Sequence, residues 1–422
     1  MYLQGYKNRI ADKELRELLE SSGAVLIEGA KWCGKTSTGL HLAKSVIYMQ
    51  DEDNAAMYKQ MASTKPSLLL EGETPRLIDE WQDAPNLWNA VRFAIDQRRS
   101  TNQFILTGSA VPKDDNSRHS GTGRIARFRM RPMSLWESDE SNGKISLSQL
   151  FANEIGVAET SELTLENLAF SLCRGGWPAS LQKNDKAALR TARNYVDEVV
   201  ELDVHRVDGV ERNAQRVRKL LQSLSRNVST MASNETIMAD VSTNDTTLSP
   251  TTFASYMNAL RRIFLIDDVE AWMPSLRSRT AIRTSAKRHF VDPSIPAVLL
   301  RLTPESLLKD FKTFGFLFED LCARDLRIYT QAIDGDVYHY RDKNELECDL
   351  IISRRNGQWA GVEVKLGKNE EDDAAAHLLK LMDKIDENKM QKPSFLMILT
   401  AGQFAYRRKD GVYVVPIGCL KP

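Results

Sequence analysis

The sequence predicts an α/β protein with several domains. In the first part of the chain, short apolar runs alternate with helical patterns, which is typical of a parallel sheet covered by helices on both faces. The middle of the chain is mainly helical, and the last part alternates strand and turn signals around one further helix. Because 422 residues exceed one ordinary core, we expect four regions, which span residues 1–140, 141–222, 223–275 and 276–422.

Composition places the chain among soluble globular proteins. Lys+Arg and Asp+Glu both number 57, so net charge neither favours nor excludes a nucleic-acid partner. The five cysteines are scattered without a Cys-x-x-Cys pair, which indicates reduced thiols rather than a zinc ribbon or a disulfide framework. The sequence has no apolar run of about 18 residues and no signal-type leader, so we expect a cytoplasmic protein that does not bind membranes.

The first region is predicted to alternate helices and strands. Apolar spacing predicts a helix over residues 11–22 and another over 86–97. Four short apolar runs predict buried strands, at residues 24–29, 45–49, 75–80 and 103–109. The polar segment 112–123 is predicted to be a mobile loop, and the polar stretch 136–144 is expected to close this domain.

A phosphate-binding motif follows the first strand. Residues 29–36 fit the P-loop pattern G-x-x-x-x-G-K-[ST] at every defined position, between a strand and a helix. Its backbone N–H groups would surround the phosphates of ATP, Lys35 would reach the β- and γ-phosphates, and Thr36 would offer its hydroxyl to Mg²⁺. The predicted nucleotide-binding residues are Gly29, Ala30, Lys31, Trp32, Cys33, Gly34, Lys35, Thr36 and Ser37.

Two acidic residues end a later strand. Leu77 and Ile78 lead into Asp79 and Glu80, so Asp79 is predicted to hold Mg²⁺ and Glu80 to orient or deprotonate the attacking water. Alone, the pair could equally cap a strand at the surface, but the P-loop favours the catalytic interpretation. The next strand ends in Thr107, Gly108 and Ser109; Ser109 is the predicted polar sensor of the γ-phosphate and Thr107 the alternative.

Arginines follow in the next segment, at positions 118, 124, 127, 129 and 131. One of them could act as an arginine finger, from the same or a neighbouring subunit. We choose Arg124, which follows the flexible Gly-Thr-Gly. A basic strand that is solvated or contacts phosphate is the alternative for this segment.

These motifs together resemble a bacterial and archaeal family of AAA+ ATPases with a C-terminal domain of unknown function. The resemblance covers nearly the whole chain and is carried by the P-loop and by segments 77–96, 105–109, 123–137, 175–180 and 289–300. It implies an AAA+-like ATPase core and a winged helix, and it leaves the biological role open.

The middle of the chain carries weaker signals. Gly-Gly-Trp-Pro at 175–178 predicts a turn between helices, and the Ser-, Thr- and Asn-rich stretch 229–249 has the composition of a linker. Ser249 and Pro250 then begin a helix that leads into a predicted short strand pair at 264–272, similar to the second half of a winged helix. Basic residues that could contact nucleic-acid phosphates follow this pattern: Arg261, Arg262, Arg277, Arg279, Arg283, Lys287 and Arg288.

The C-terminal region contains a second candidate site. Glu363 and Lys365 lie two residues apart on one predicted strand, a hairpin would place Asp349 beside them, and Glu319 on the preceding helix completes an acidic pocket. This is similar to the PD-(D/E)xK nuclease core, although Cys348 stands where that motif has proline. A solvated, salt-bridged strand face is the alternative.

These motifs predict two alternative functions. The first is a Mg²⁺-dependent ATPase whose C-terminal domain binds or cleaves nucleic acid, with DNA the expected target. The second is a nucleotide-controlled switch whose C-terminal domain binds a protein partner and cleaves nothing. A homo-oligomer is a further expectation, because a finger supplied in trans requires one. A small-molecule kinase is disfavoured, because Glu80 beside Asp79 suits water activation.

Overall fold

The computed structural model describes residues 5–110, 121–154, 156–207, 209–242, 248–273, 285–385 and 390–422. The chain divides into two compact units. The first unit comprises Met1–Pro132 with two later segments, Glu201–Glu211 and Met257–Leu265. The second comprises Met133–Val200, Arg212–Tyr256 and Ile266–Pro422. The predicted closing stretch 136–144 therefore belongs to the second unit, and the predicted loop 112–123 lies mostly outside the described residues.

The first unit contains a five-stranded, wholly parallel sheet of order β2-β3-β4-β1-β5. Its strands are β1 Ala24–Glu28, β2 Ser45–Tyr48, β3 Arg76–Asp79, β4 Phe104–Gly108 and β5 Ile125–Arg129. The first four lie where the apolar runs predicted them. All carboxyl ends of a parallel sheet meet at one edge, which brings the ends of β1, β3 and β4 together.

Helices cover both faces of this sheet. They are α1 Ala11–Ser21, α2 Lys35–Leu42, α3 Ala55–Thr64 and α4 Leu87–Arg98. The short α8 Val204–Arg206 also belongs to the first unit. One core joins α1 and α2 to the sheet through residues such as Leu15, Leu19 and Leu40. A second core holds Trp88, Val91 and other residues of α4 against the sheet. The sheet is thus buried on both faces, as its continuous apolar strands predict.

The second unit contains a mixed seven-stranded sheet of order β7-β12-β13-β11-β10-β9-β8. Its strands are β7 Ala158–Thr160, β8 Gly335–Arg341, β9 Glu347–Arg354, β10 Trp359–Lys365, β11 Phe395–Thr400, β12 Phe404–Arg407 and β13 Tyr413–Pro416. Strands β8, β9 and β10 are antiparallel neighbours, whereas β10, β11 and β13 are parallel. A separate parallel pair joins β6 Ile145–Ser146 to β14 Leu420–Lys421.

The helices of the second unit fall into two groups. A helical group comprises α5 Leu147–Ala152, α6 Leu165–Arg174, α7 Asp185–Glu198, α9 Ala214–Arg226, α10 Asn234–Ser242, α12 Ser294–Leu299 and α13 Pro304–Leu307. Two longer helices, α14 Phe311–Gln331 and α15 Glu371–Lys384, pack on the large sheet. Chain order from α14 through β8, β9, β10 and α15 to β11 is therefore helix, three strands, helix, strand. No helix among the described residues is long and apolar enough to cross a bilayer.

A buried cluster of paired charges in the second unit, here called the hub, consists of Asp292, Arg324 and Asp325 and explains two of the sequence motifs. Asp292 accepts a 2.9 Å hydrogen bond from Gly176 N and a 2.8 Å bond from Arg324 Nη1, and Arg324 Nε also donates to Asp325 at 2.8 Å. A Cβ on Gly176 would lie 2.1 Å from Met133 O, so only glycine fits. Residues 175–178 and 289–294 thus have a structural role in the core of the second unit, where the buried charges of the hub are paired.

The middle of the chain departs from two predictions. The stretch 229–249, predicted as a linker, contains α10. Segment 264–272 makes no strand pair of its own; its residues form isolated bridges with Lys287, Phe290 and His339. Helices α9 and α10 precede this segment together with α11 Pro250–Arg262, whose residues are shared by both units. A winged helix stays a prediction for this region.

Candidate functional site

The P-loop connects the carboxyl end of β1 to the first turn of α2. Gly34 adopts the left-handed conformation, with φ 105°, immediately before α2 begins at Lys35. A Cβ on Gly29 would lie 2.1 Å from Met130 O. Both positions therefore require glycine, one for its backbone angle and one for a close approach of two segments.

Arg9 holds the P-loop in place through hydrogen bonds to backbone carbonyls. Its guanidinium donates 2.9 Å hydrogen bonds to Cys33 O and to Arg131 O, and the side chain is buried. One arginine therefore ties the loop to the segment after β5, in a bidentate geometry that lysine would not reproduce. Arg9 could not be predicted from the sequence, because an isolated arginine before a helix carries no recognisable signal.

Lys35 and the start of α2 form the anion-binding part of the site. The first N–H groups of any α-helix lack intrahelical acceptors, and the helix dipole places partial positive charge there. Lys35 is buried and its Nζ donates 2.8 Å to Ala30 O, within the same loop. By contrast, the Nζ of Lys31 lies 3.3 Å from Asp203 Oδ1. The amine of Lys35 is therefore held within the P-loop, whereas that of Lys31 pairs with a residue far along the chain.

Asp79, at the end of β3, is held by two hydroxyls. Thr36 Oγ1 donates 2.8 Å and Thr107 Oγ1 donates 2.7 Å to Asp79 Oδ1. Burial raises the pKa of Asp79, and the bonds from Thr107 and Thr36 partly offset this. A hydroxyl and a carboxylate in direct contact beside a P-loop are the donor set that Mg²⁺ takes in such sites. Thr36 and Asp79 therefore fit the predicted metal role.

Glu80 adopts the left-handed conformation, with φ 56°, directly after β3. Its Oε2 accepts 2.8 Å from Ser109 Oγ and 3.3 Å from Ser109 N, and it also contacts Gln82 Nε2. Ser109, the predicted sensor, thus positions Glu80, while Thr107 contacts Asp79. The role of Gln82 could not be predicted from the sequence, because a glutamine inside a short helical turn has no motif of its own.

Arg124 lies at the amino end of β5, opposite the carboxyl ends of the strands where the P-loop lies. Strands β1 and β5 are parallel, with Ala24 opposite Ile125 and Glu28 opposite Arg129. Arg124 precedes β5, so a strand of about 15 Å separates it from the P-loop edge. Its Nε pairs with Asp96 Oδ1 at 2.6 Å. The structure therefore does not bring Arg124 to its own P-loop, and a finger role in a neighbouring subunit stays a prediction; Arg118 lies outside the described residues.

Comparison with protein families agrees with this geometry. A model described as an AAA domain matches residues 21–138, which contain the P-loop, Asp79, Glu80 and Ser109. Two models of domains of unknown function match the rest, DUF8612 at 165–306 and DUF4143 at 314–420. The chain therefore contains an AAA domain followed by two domains of unknown function. The AAA domain accounts for the nucleotide-binding motifs predicted from the sequence.

Similar proteins include two uncharacterized mycobacterial proteins, Mb2031c of Mycobacterium bovis and Rv2008c of Mycobacterium tuberculosis. Each is 24% identical over 365 residues, which cover 85% of this chain and 74% of the relative. Among solved structures, the Walker-type ATPase PABY2304 of Pyrococcus abyssi has 15% identity and a TM-score of 0.43, with 68% of this chain and 94% of that chain covered. The FIGL-1 AAA domain, solved in complex with ADP, has 11% identity and a TM-score of 0.25, with 61% and 92% covered.

The C-terminal domain brings the four residues of the second predicted site together. Glu319 lies on α14, Asp349 on β9, and Glu363 and Lys365 on β10. Lys365 Nζ is 3.1 Å from Glu363 Oε2 and 3.6 Å from Asp349 Oδ2. The antiparallel pairing of β9 with β10 produces this contact, and Val364 N donates 3.0 Å to Asp349 Oδ2.

A fifth residue, Lys287, joins this cluster. Its Nζ lies 3.0 Å from Asp349 Oδ1 and forms an ion pair with Glu319. Lys287 and Arg288 were predicted to contact nucleic-acid phosphates, and this is wrong: both are buried, and Arg288 pairs with Asp268 at 3.0 Å. The other basic residues of that stretch, Arg277, Arg279 and Arg283, lie outside the described residues. Sequence pattern could not separate a buried lysine from a surface one here.

Burial and the two ammonium groups shift the pKa values of the three carboxyls in different directions. Burial raises the pKa of Glu319 to about 8 and that of Glu363 well above its ordinary value. Burial alone would raise the pKa of Asp349 too, but Lys287 and Lys365 outweigh it and hold that pKa below the ordinary value. Asp349, between two cations, is therefore the most acidic carboxyl of the cluster.

Proposed function

We propose that this chain binds ATP and hydrolyses it with Mg²⁺ at the carboxyl edge of the parallel sheet. The observation that carries the proposal is the connected arrangement at this edge. Asp79 contacts Thr36 of the P-loop, and Glu80, the next residue, accepts hydrogen bonds from Ser109 at the end of the neighbouring strand. A metal-holding pair and a positioned carboxylate beside a P-loop are what hydrolysis requires.

Each residue has a separate task in this proposal. Lys35 and the N–H groups at the start of α2 bind the phosphates, and Thr36 and Asp79 hold Mg²⁺. The metal supplies positive charge that neutralises the phosphate oxygens when it is bound. Glu80 orients the attacking water and accepts its proton, which contributes roughly 10²–10⁴-fold to the rate. Ser109 and Gln82 fix the direction of the Glu80 carboxylate.

Phosphate release with and without Mg²⁺ tests this function. The wild type is expected to hydrolyse ATP with Mg²⁺ and to lose activity in EDTA. Asp79→Asn should bind ATP yet hydrolyse it slowly at all Mg²⁺ concentrations, whereas Asp53→Asn, an exposed control, should behave as wild type. Activity in EDTA, or a fully active Asp79→Asn, would count against the proposed metal site.

Arg124 is proposed to act in trans. It is half-exposed at the edge of the sheet away from its own P-loop, which suits contact with a second subunit. An arginine finger supplies roughly 10³–10⁵ in rate. Mixing Arg124→Ala, which keeps its P-loop, with Lys35→Ala, which keeps its arginine, should restore activity that neither has alone. Two folded variants that stay inactive when mixed would remove Arg124 from the mechanism.

The second part of the proposal concerns the C-terminal domain. We propose that the nucleotide state of the AAA domain controls how this domain engages a target in the cytoplasm. The nuclease-like order of helix and strands, with Asp349, Glu363 and Lys365 on neighbouring strands, favours nucleic acid as that target. DNA binding that weakens steeply with salt would support this choice. No DNA binding at low salt, with ATPase activity intact, would favour a protein partner, and cleavage would be detected in the same samples.

A further inference from the structure

The carboxylate cluster of the C-terminal domain already contains its own cations. Lys287 Nζ contacts both Glu319 and Asp349, and Lys365 Nζ contacts both Glu363 and Asp349. Every carboxyl of the cluster therefore has an ammonium partner. The side chain of Lys287 is only 8% exposed, so its charge is balanced by these acids rather than by solvent.

Both oxygens of Asp349 are engaged. Oδ1 is paired with Lys287, whereas Oδ2 accepts a hydrogen bond from Val364 N and faces Lys365. In a PD-(D/E)xK nuclease the equivalent aspartate is the carboxylate that binds the divalent metal. Mg²⁺ requires about six oxygen ligands at about 2.0–2.1 Å. An ammonium group between Glu319 and Asp349 occupies the position that such an ion would need.

Lys287 is fixed by its backbone as well. Its N–H donates 2.8 Å to Val269 O, and Val269 N donates 2.9 Å to Lys287 O. The next residue, Arg288, donates from its backbone N–H to Thr230 O and pairs with Asp268 through its side chain. Moving the ammonium out would leave Glu319 without its cation and Asp349 with Lys365 alone, so charge as well as burial holds Lys287 in place.

We infer that Lys287 replaces the divalent metal of a nuclease-like site, so that the C-terminal domain binds its target without metal-dependent cleavage. The residues present do not fit the metal: among the described residues no three His, Cys, Asp or Glu side chains are grouped to hold an ion. The cluster is instead a closed ion-pair network that joins α14 to β9 and β10. This inference concerns the C-terminal domain and does not depend on ATP hydrolysis.

Binding of Mn²⁺ to the nucleotide-free protein, followed by electron paramagnetic resonance, tests the inference. The wild type and Asp349→Asn are expected to bind the same amount of Mn²⁺, because Asp349 is not a metal ligand. Any ion that binds elsewhere, including at Thr36 and Asp79, contributes equally to both. A bound Mn²⁺ that the wild type has and Asp349→Asn lacks would overturn the inference.

Removal of the lysine provides the converse test. Lys287→Met should gain about one Mn²⁺ per chain, and the added Asp349→Asn change should abolish that gain. Lys309→Met, an exposed control, should gain none. Circular dichroism checks folding, and if Lys287→Met does not fold, the comparison of wild type with Asp349→Asn still decides. A folded Lys287→Met without the gain would contradict the role given to this lysine.

Discussion

Ser109 Oγ donates a 2.8 Å hydrogen bond to Glu80 Oε2, while Thr107, two residues earlier, donates 2.7 Å to Asp79 Oδ1. Residues i and i+2 of an extended segment point to the same side. Two hydroxyls at and just after the end of β4 therefore contact two consecutive acids, Asp79 at the end of β3 and Glu80 directly after it. In the proposed mechanism, one hydroxyl thus contacts the acid that would hold the metal and the other contacts the acid that would activate water.

Loss of the Ser109 hydroxyl should affect turnover rather than binding. We expect Ser109→Ala to lower kcat by about two- to tenfold, because a hydrogen bond that positions a carboxylate contributes about 0.5–1.5 kcal/mol. ATP affinity should be unchanged. Steady-state kinetics of the wild type, Ser109→Ala and the exposed control Ser100→Ala measure kcat and KM. A raised KM with an unchanged kcat would assign Ser109 to substrate binding instead.

Lys35 should be required for nucleotide binding itself. Lys35→Ala is expected to weaken ATP binding roughly 10- to 100-fold, since a charge-assisted hydrogen bond contributes about 1.5–3 kcal/mol. Titration with a fluorescent ATP analogue measures the affinity. Lys44→Ala, at an exposed position after the same helix, is the matched control. Equal affinity in the two variants would show that the phosphates bind elsewhere.

The AAA domain and its candidate nucleotide site could be located from the sequence because the motifs are local. Glycine at 29 and 34, Lys35 and Thr36 stand in one motif, and Asp79 ends a recognisable strand. Arg9, Gln82 and Lys287 could not be predicted in the same way. Their roles depend on contacts with residues far along the chain or on burial, which no local pattern encodes.

The fold was predictable to a similar extent. Continuous apolar runs marked β1 to β4, and strand alternation marked β8 to β10. The edge strand β7 escaped prediction, because three residues within a helical region carry no periodic signal. The division into two units could not be predicted from the sequence either, because segments 201–211 and 257–265 belong to the first unit only through tertiary contacts.

Arg324 should be among the most destabilising positions to change. Its guanidinium is buried between Asp292 and Asp325, and Arg324→Met would leave both carboxylates without their cation. We expect a loss of about 3–5 kcal/mol in the free energy of unfolding. Urea denaturation measures it, with Arg355→Met as an exposed control. A loss below about 1 kcal/mol would mean that the hub contributes little to stability.

His289 should make the fold sensitive to acid. Burial, followed by the charge of Lys287 and Arg327, lowers its pKa from 6.5 to about 3. The unfolded chain therefore takes up a proton at a pH where the folded chain does not, so stability falls as pH drops below about 6.5. The acidic groups that face His289 are Asp267, Asp268 and Asp320.

The measurement compares the wild type with His289→Gln. Between pH 7 and pH 5 the histidine should contribute a loss of about 2 kcal/mol, which the variant should lack. Buried carboxyls such as Asp325, with a pKa raised to about 6, act in the opposite direction in both proteins. The difference between the two urea titrations therefore isolates His289. Identical pH dependence would show that the imidazole is not held neutral.

The central claim is that Glu80 activates water for ATP hydrolysis. Its most direct test is a single-turnover experiment with radiolabelled ATP on the wild type, Glu80→Gln and the exposed control Glu73→Gln. We predict that Glu80→Gln retains bound ATP uncleaved, with hydrolysis slowed roughly 10²–10⁴-fold, while the other two proteins convert it to ADP. Conversion by Glu80→Gln at the wild-type rate would contradict the account.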